Sequence, residues 1–502
     1  MPIIAQWQEA AKFILPSIGI AIAVLMYVLR SSRFDFQRGL LLAALFWTAV
    51  AGAFFYNNAW NQTRYLNCYE FFHYYLGSKY APELGYSDLY EAALVAQKEA
   101  GQRDLPTSVR DLVHGRSVPA AQVLQNAEAH KARFSPARWE EFKGDVLFFR
   151  SYFRGGWNKM MNDKGYNPPP TWTMMASLLS NQVPTSSYYG MLALASIDLL
   201  LMLAAALAVT WAFGPRAALY LALILFTQYV SSHTHMKAAF IRTDWVMFLV
   251  IAACLIKKEC WIPAGVLLAW ATCSRIFPAI FAFGLGAKFL LDLVLERRIN
   301  RDYLRFLIAF GVAGIVFVGA SWLEFGTAYW QEFLTKIADH DDDISAWRVG
   351  FKYIWLLSYK GASIGAGALA NQYMQTAMLY HAIQLAVLLL AIPLMRRIQP
   401  WQAFCFGFVP VFLLVAPTYY YYIVILVPAL YFAADPTRLP NLIGLLLIFA
   451  EGMAAHYGHR LWDRSFQQFF LVSAMMMVIA LYLCALAAAT FLPRRETPPA
   501  EA

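Results

Sequence analysis

Charge is scarce in this chain: Asp, Glu, Lys and Arg make up 14% of its 502 residues, while 60% are hydrophobic. Soluble domains carry about 25% charged residues. The shortage excludes a soluble globular enzyme and an intrinsically disordered chain. Cysteine is scarce too. Cys68, Cys254, Cys260, Cys273, Cys405 and Cys484 form no CxxC pair, and five of them lie in or beside apolar segments. That excludes a disulfide-rich secreted module. The first residues lack a basic stretch and a small-residue cleavage site, so the first apolar segment is expected to stay as an anchor. Outside the membrane edges no basic stripe interleaves with aromatics. The net charge of +9 is therefore not a nucleic-acid footprint.

Apolar runs are present in abundance. They fall near 13–29, 39–56, 188–213, 217–230, 244–256, 261–274, 276–295, 306–323, 374–395, 401–416, 419–434, 439–454 and 466–492. The expected fold is an all-α polytopic membrane protein of about 13 spans. Runs 217–230, 244–256 and 261–274 are shorter than the roughly 17–25 residues of a free-standing span and need burial among other helices. With the N-terminus outside, the inner turns collect Arg30, Arg33, Arg38, Arg216, Lys257, Lys258, Arg297, Arg298, Arg301, Arg305, Arg396, Arg397, Arg438, Arg494 and Arg495. The positive-inside rule selects this orientation, with the C-terminus inside. Two long loops, 57–187 and 324–373, then lie outside. The first is expected to be a helical cap, with helices at 67–81 and 88–100 and helical composition on both sides of Pro136 in 120–143. The chain divides into 1–38 (an additional span and inner turn), 39–395 (a core with both loops) and 396–502 (last spans and tail).

Any chemistry is expected on the loop side. In 67–94, Glu70, His73, Tyr74 and Gly77 follow the i, i+3, i+4, i+7 spacing of one helix face. A carboxylate beside an imidazole in aromatic surroundings suits a general base. The same residues also suit an interfacial helix with its polar face in water. Loop 57–187 closes on Tyr166 and three prolines, 168–170, which impose an extended entry or simply stiffen a connector. The segment 231–244 offers Lys237, Arg242 and Asp244 near headgroup depth, where paired cations can hold a lipid phosphate. His233 and His235 form an HxH that is weak as a metal site without a third ligand. Arg275, in a tight turn, either binds phosphate or snorkels. Asp341, Asp342 and Asp343, with Arg348 and Lys352 after them, form an acidic run that leaves room for a divalent cation or makes a solvated turn. Asp198 is an intramembrane carboxylate, a functional candidate by default. The run Tyr419–Tyr422 reads as an interfacial aromatic belt.

Three elements together resemble the GT-C superfamily of integral-membrane glycosyltransferases, closest to bacterial polyprenyl-phosphate-mannose-dependent α-mannosyltransferases. They are the acidic-aromatic stretch around Glu70, the Tyr166-x-Pro-Pro element, and the block from Arg242-Thr243-Asp244 through Trp261 to Arg275-x-x-Pro278. The resemblance covers about residues 39–395. It implies transfer of a sugar from a polyprenyl-phosphate donor at the periplasmic face of the bacterial inner membrane. It assigns the base to a carboxylate, Glu70 here where the family uses Asp, with Asp88 as substitute and His73 orienting. It assigns the donor phosphate to Lys237, Arg242 and Arg275, with Arg348 contributing. Membrane lipids are the other expected partner. A lipid-linked-sugar flippase and a non-catalytic subunit of a membrane complex remain the alternatives.

Overall fold

Apolar runs in a membrane must satisfy their own backbone groups, and helices do this within each segment. The computed structural model describes residues 2–32, 36–63, 65–152, 156–233, 236–342, 344–360 and 365–492. They form an all-α polytopic membrane protein with one small hairpin. Eight helices are long and apolar enough to cross a membrane: Trp7–Ser31, Phe36–Asn57, Tyr188–Phe213, Phe277–Leu295, Arg301–Ala338, Ala366–Leu394, Leu439–Trp462 and Phe466–Ala489. Their outward faces carry exposed apolar side chains such as Leu203, Leu207, Ile315 and Met378.

The other five apolar runs are short or broken. Pro215–Thr227 stops at Gln228, whose extended backbone separates it from the short helix Tyr229–Ser232. Asp244–Lys257 and Trp261–Arg275 pair as a hairpin, and most of Asp244–Lys257 is buried. The run 401–416 divides into Pro400–Cys405 and Phe408–Leu414, and 419–434 begins as a 3-10 turn. Burial replaces lipid contact for these elements, as their length requires.

One end of the bundle gathers basic turns. Lys258 lies over Trp211 (5.3 Å) and Lys257 over Trp401 (5.7 Å), while Arg397 donates to the Thr490 carbonyl (3.2 Å). Residues 65–152 and 156–187 form a largely helical unit, the cap, around a second aromatic core that also takes in Met191, Phe240, Tyr329 and Phe333. Helices Cys68–Lys79 and Leu89–Glu99 lie where expected. Over 120–143 the chain is helical on both sides of Pro136, as expected: the short helices Ala120–Gln125 and Ala127–Lys131 precede it, and Pro136 opens Pro136–Tyr152, the position where its missing N–H costs nothing. An unexpected antiparallel hairpin pairs Ser108–Asp111 with Arg116–Pro119. The second loop also differs from expectation. The chain runs from Arg301 to Asp342 as two helices broken at Gly326, whose φ of 77° and ψ of 177° suit only glycine. Tyr329 and Phe333 of this extension pack edge-on against Tyr86 of the cap (5.3 and 5.8 Å).

Candidate active site at the seam between cap and bundle

The helix Cys68–Lys79 is anchored by its N-cap. The Asn67 side chain accepts from the Glu70 N–H (3.3 Å) and donates to the Lys237 carbonyl (3.3 Å). The Asn67 N–H reaches the Ala238 carbonyl (2.9 Å). One residue thus starts the helix and ties it to the loop that ends in Arg242. Along this helix Glu70, Tyr74 and Gly77 face the seam. The Arg242 guanidinium lies 3.7 Å from the Glu70 carboxylate and donates to the Tyr74 hydroxyl. The Tyr74 hydroxyl in turn donates to Asn167 (3.0 Å). Burial pushes that hydroxyl up to about 12, with Arg242 pulling it down, so it stays neutral. At Gly77 a Cβ would run into the Tyr166 ring, so glycine lets the Tyr166-x-Pro-Pro element close on the helix. Tyr166 shares a hydrogen bond with Thr173 (2.5 Å).

Asp198 holds the Arg242 loop from below. It accepts from the Arg242 N–H (2.9 Å), the Thr243 N–H (2.9 Å) and the Thr243 hydroxyl (2.9 Å). Its role is to position Arg242, and the sequence alone could not reveal the partner. Arg242 also lies over the rings of Tyr420 (5.2 Å) and Tyr421 (5.9 Å). The tyrosine run therefore is no interfacial belt. Tyr419 and Tyr422 are buried, and the run supplies a cation-binding wall that the sequence reading missed. The signal lay in four consecutive tyrosines at a turn.

Arg275 reaches the same region from the end of Trp261–Arg275. Its guanidinium is 6.0 Å from the centre of the Trp172 ring, and Trp172 packs edge-on against Tyr74 (5.5 Å). One Arg275 nitrogen donates to the Ser274 carbonyl (2.7 Å), while Nε and Nη2 are buried with no acceptor. Asp244 lies within Coulombic reach of Arg275. Its oxygens are occupied by the Trp270 indole (2.9 Å) and the Ser274 hydroxyl (3.3 Å). The backbone beside both arginines is strained. Ile241 has φ of 47° and Ile276 φ of 55°, a region that β-branched residues avoid. Such outliers cost about 1–3 kcal/mol each and cluster at functional sites.

Other expected site residues lie elsewhere. His73 is engaged within the cap, by the Tyr69 carbonyl (2.9 Å) and the Tyr90 hydroxyl (2.7 Å). Asp88 meets His130 (2.8 Å) and Arg133 (3.4 Å). Asp88, Glu91 and His130 form the sole cluster of metal-ligand type among the described residues. The Asp88 hydrogen bond raises the His130 imidazole above its ordinary value. Lys237 lies over Phe55 (4.1 Å), and burial lowers its ammonium to about 8. Arg348 donates to the Ala416 carbonyl (3.3 Å) and pairs by backbone with Thr418, so it anchors the segment entering the tyrosine run. His233 packs on Tyr419 (5.4 Å) and Tyr420 (5.6 Å). His235, Asp343 and the side chains of Asp341 and Asp342 lie outside the described residues. The chain matches no protein-family model, no curated protein and no solved structure.

Proposed function

We propose that this protein is a membrane glycosyltransferase that moves a sugar from a polyprenyl-phosphate donor to an acceptor hydroxyl. In this reading the chain crosses the inner membrane of a bacterium about 13 times, with the short helices counted. The cap is periplasmic, the N-terminus periplasmic and the C-terminus cytoplasmic. The basic turns at the far end of the bundle support that orientation.

One observation carries the reading. Arg275 presents two buried donors with no acceptor, in a seam that already holds Arg242 and a carboxylate. Leaving such donors unpaired is costly, and an anionic group between the arginines removes the cost. The proposed chemistry follows. Glu70 takes the proton of the acceptor hydroxyl as that oxygen attacks the anomeric carbon. The bond from that carbon to the phosphate oxygen breaks, and polyprenyl phosphate leaves as an anion held by Arg242 and Arg275. Tyr74 and Asp198 keep Arg242 in place. Glu70, Tyr74 and Arg242 are buried, so entry of the donor parts the cap from the bundle along this seam.

Reconstituted protein given a panel of polyprenyl-phosphate sugars tests the reading. Glu70→Gln keeps size and hydrogen bonding but removes the proton acceptor. Its transfer rate should drop about 10²–10⁴-fold with donor binding retained. Absence of transfer by the wild type across the panel, with lipid-linked sugar still bound, would move the assignment to a lipid-linked-sugar transporter.

A further inference from the structure

A second buried polar group has no part in the seam. Glu451 lies midway along the membrane-spanning helix Leu439–Trp462 and is fully buried. Neither of its carboxylate oxygens has a hydrogen-bond partner. Its polar neighbour is Gln228, the extended residue at the break between Pro215–Thr227 and Tyr229–Ser232. Gln228 gives one of its two amide N–H groups to the Ile448 carbonyl (2.7 Å), and its Oε1 has no partner. Turning the amide over gives no relief, because Oε1 would then face the Ile448 carbonyl at that distance. Gly452 permits this approach: a Cβ there would stand 2.7 Å from Oε1.

Three acceptor oxygens thus converge deep in the apolar bundle, with the second amide N–H of Gln228 beside the carboxylate. A bare carboxylate there is expensive, and no ion pair to it forms among the described residues. The charged and titratable groups on the elements around it are engaged elsewhere. His456, on its own helix, meets the Thr227 carbonyl (3.2 Å), and His459 packs on Tyr229 (5.5 Å). Lys12 of the first helix pairs with Glu9, and Arg464 lies over Trp347 (4.8 Å). A helix interrupted at membrane depth, with a carboxylate facing the interruption, is the arrangement by which membrane proteins hold small cations.

We propose that Glu451 and Gln228 form a binding site for a monovalent cation, a proton or a sodium ion, at the break after Thr227. The site is independent of sugar transfer. The full-length protein in lipid nanodiscs is compared with Glu451→Gln and Gln228→Leu by infrared spectroscopy and thermal melting, in sodium chloride and in choline chloride. In choline the wild type should show a protonated-carboxyl stretch that Glu451→Gln loses. If sodium bleaches that band, or raises the wild-type melting temperature but not that of Glu451→Gln, the site takes sodium. If the band persists in sodium, the site holds a proton. Gln228→Leu should shift the band or abolish the sodium response, a readout that does not depend on the Glu451 variant folding. A wild type with no such band, and with melting indifferent to sodium, would carry a bare carboxylate and overturn the proposal.

Discussion

Two regions of this protein bury charge, and they do so differently. In the cap interior the charges around Lys79 pair with one another. Lys79 is 2.7 Å from both Asp145 and Glu141. Asp145 also accepts from the Tyr80 hydroxyl (2.8 Å) and the Thr185 hydroxyl (2.6 Å). Arg138 bonds Glu83 (2.8 Å) and Glu141 (2.7 Å). At the seam the balance differs: Glu70 faces Arg242 at 3.7 Å, and Arg275 keeps two buried donors over. Glu83 keeps one buried oxygen without a partner, but among the described residues the cap network holds no spare buried donor, so it serves structure. A network with surplus donors of one sign has a ligand's complement built in. The contrast separates residues that hold the cap together from residues proposed to meet a substrate.

The contrast breaks first on stability. Asp145→Ala leaves Lys79 buried with half its partners and should cost about 3–5 kcal/mol, seen as a large drop in melting temperature. Arg275→Ala gives up one hydrogen bond, to the Ser274 carbonyl, so its cost should stay near the about 0.5–1.5 kcal/mol of an ordinary bond. Equal losses in the two variants would erase the distinction. A smaller effect is expected at Ile276→Gly. Relief of the left-handed backbone should raise stability by about 1 kcal/mol, while the relaxed turn should bind phosphate less well. A fall in melting temperature would mean that the turn is not strained.

The smallest effect concerns His130. Its folded-state value is raised by Asp88, above an unfolded value of about 6.5. The stabilisation is therefore complete below about pH 6.5 and is lost as pH rises through the folded value. Glu91 also faces the ring (3.5 Å), and Arg133 contacts Asp88 (3.4 Å). With the site partly exposed, the effect should be about 1 kcal/mol or less. Melting curves of the wild type and His130→Gln should converge on the alkaline side. Parallel curves at every pH would show that His130 does not titrate in this way.

The polytopic helical character was legible from hydropathy alone, because the bilayer sets span lengths independently of packing. Where helices are buried by one another that rule lapses, and breaks such as Gln228 and Gly326 leave little trace in hydropathy. In the candidate site, Glu70, Arg242, Arg275 and Tyr166, picked from their types and places, lie together. The position of His73 could not be read from spacing. On a helix it stands about 60° to one side of Glu70 and Tyr74 about 40° to the other, and only the fold shows which flank meets the seam. Tyr420 and Tyr421 are too distant in sequence from Arg242 for any local pattern to join them. Asp88 looked like a spare base only because its partner, His130, lies on a helix whose docking no pattern encodes.

Binding of polyprenyl phosphate, without sugar, isolates the anion from the chemistry. Measured on the wild type, Glu70→Gln and Arg275→Ala in nanodiscs, it tests the surplus-charge account most directly. Glu70→Gln should bind at least as tightly as the wild type, since loss of the carboxylate removes repulsion of the anion and frees Arg242. Arg275→Ala should bind at least about tenfold more weakly, the equivalent of one lost charge-assisted hydrogen bond. Undiminished binding by Arg275→Ala would show that the orphaned donors face no ligand, and the seam would lose its claim to be the active site.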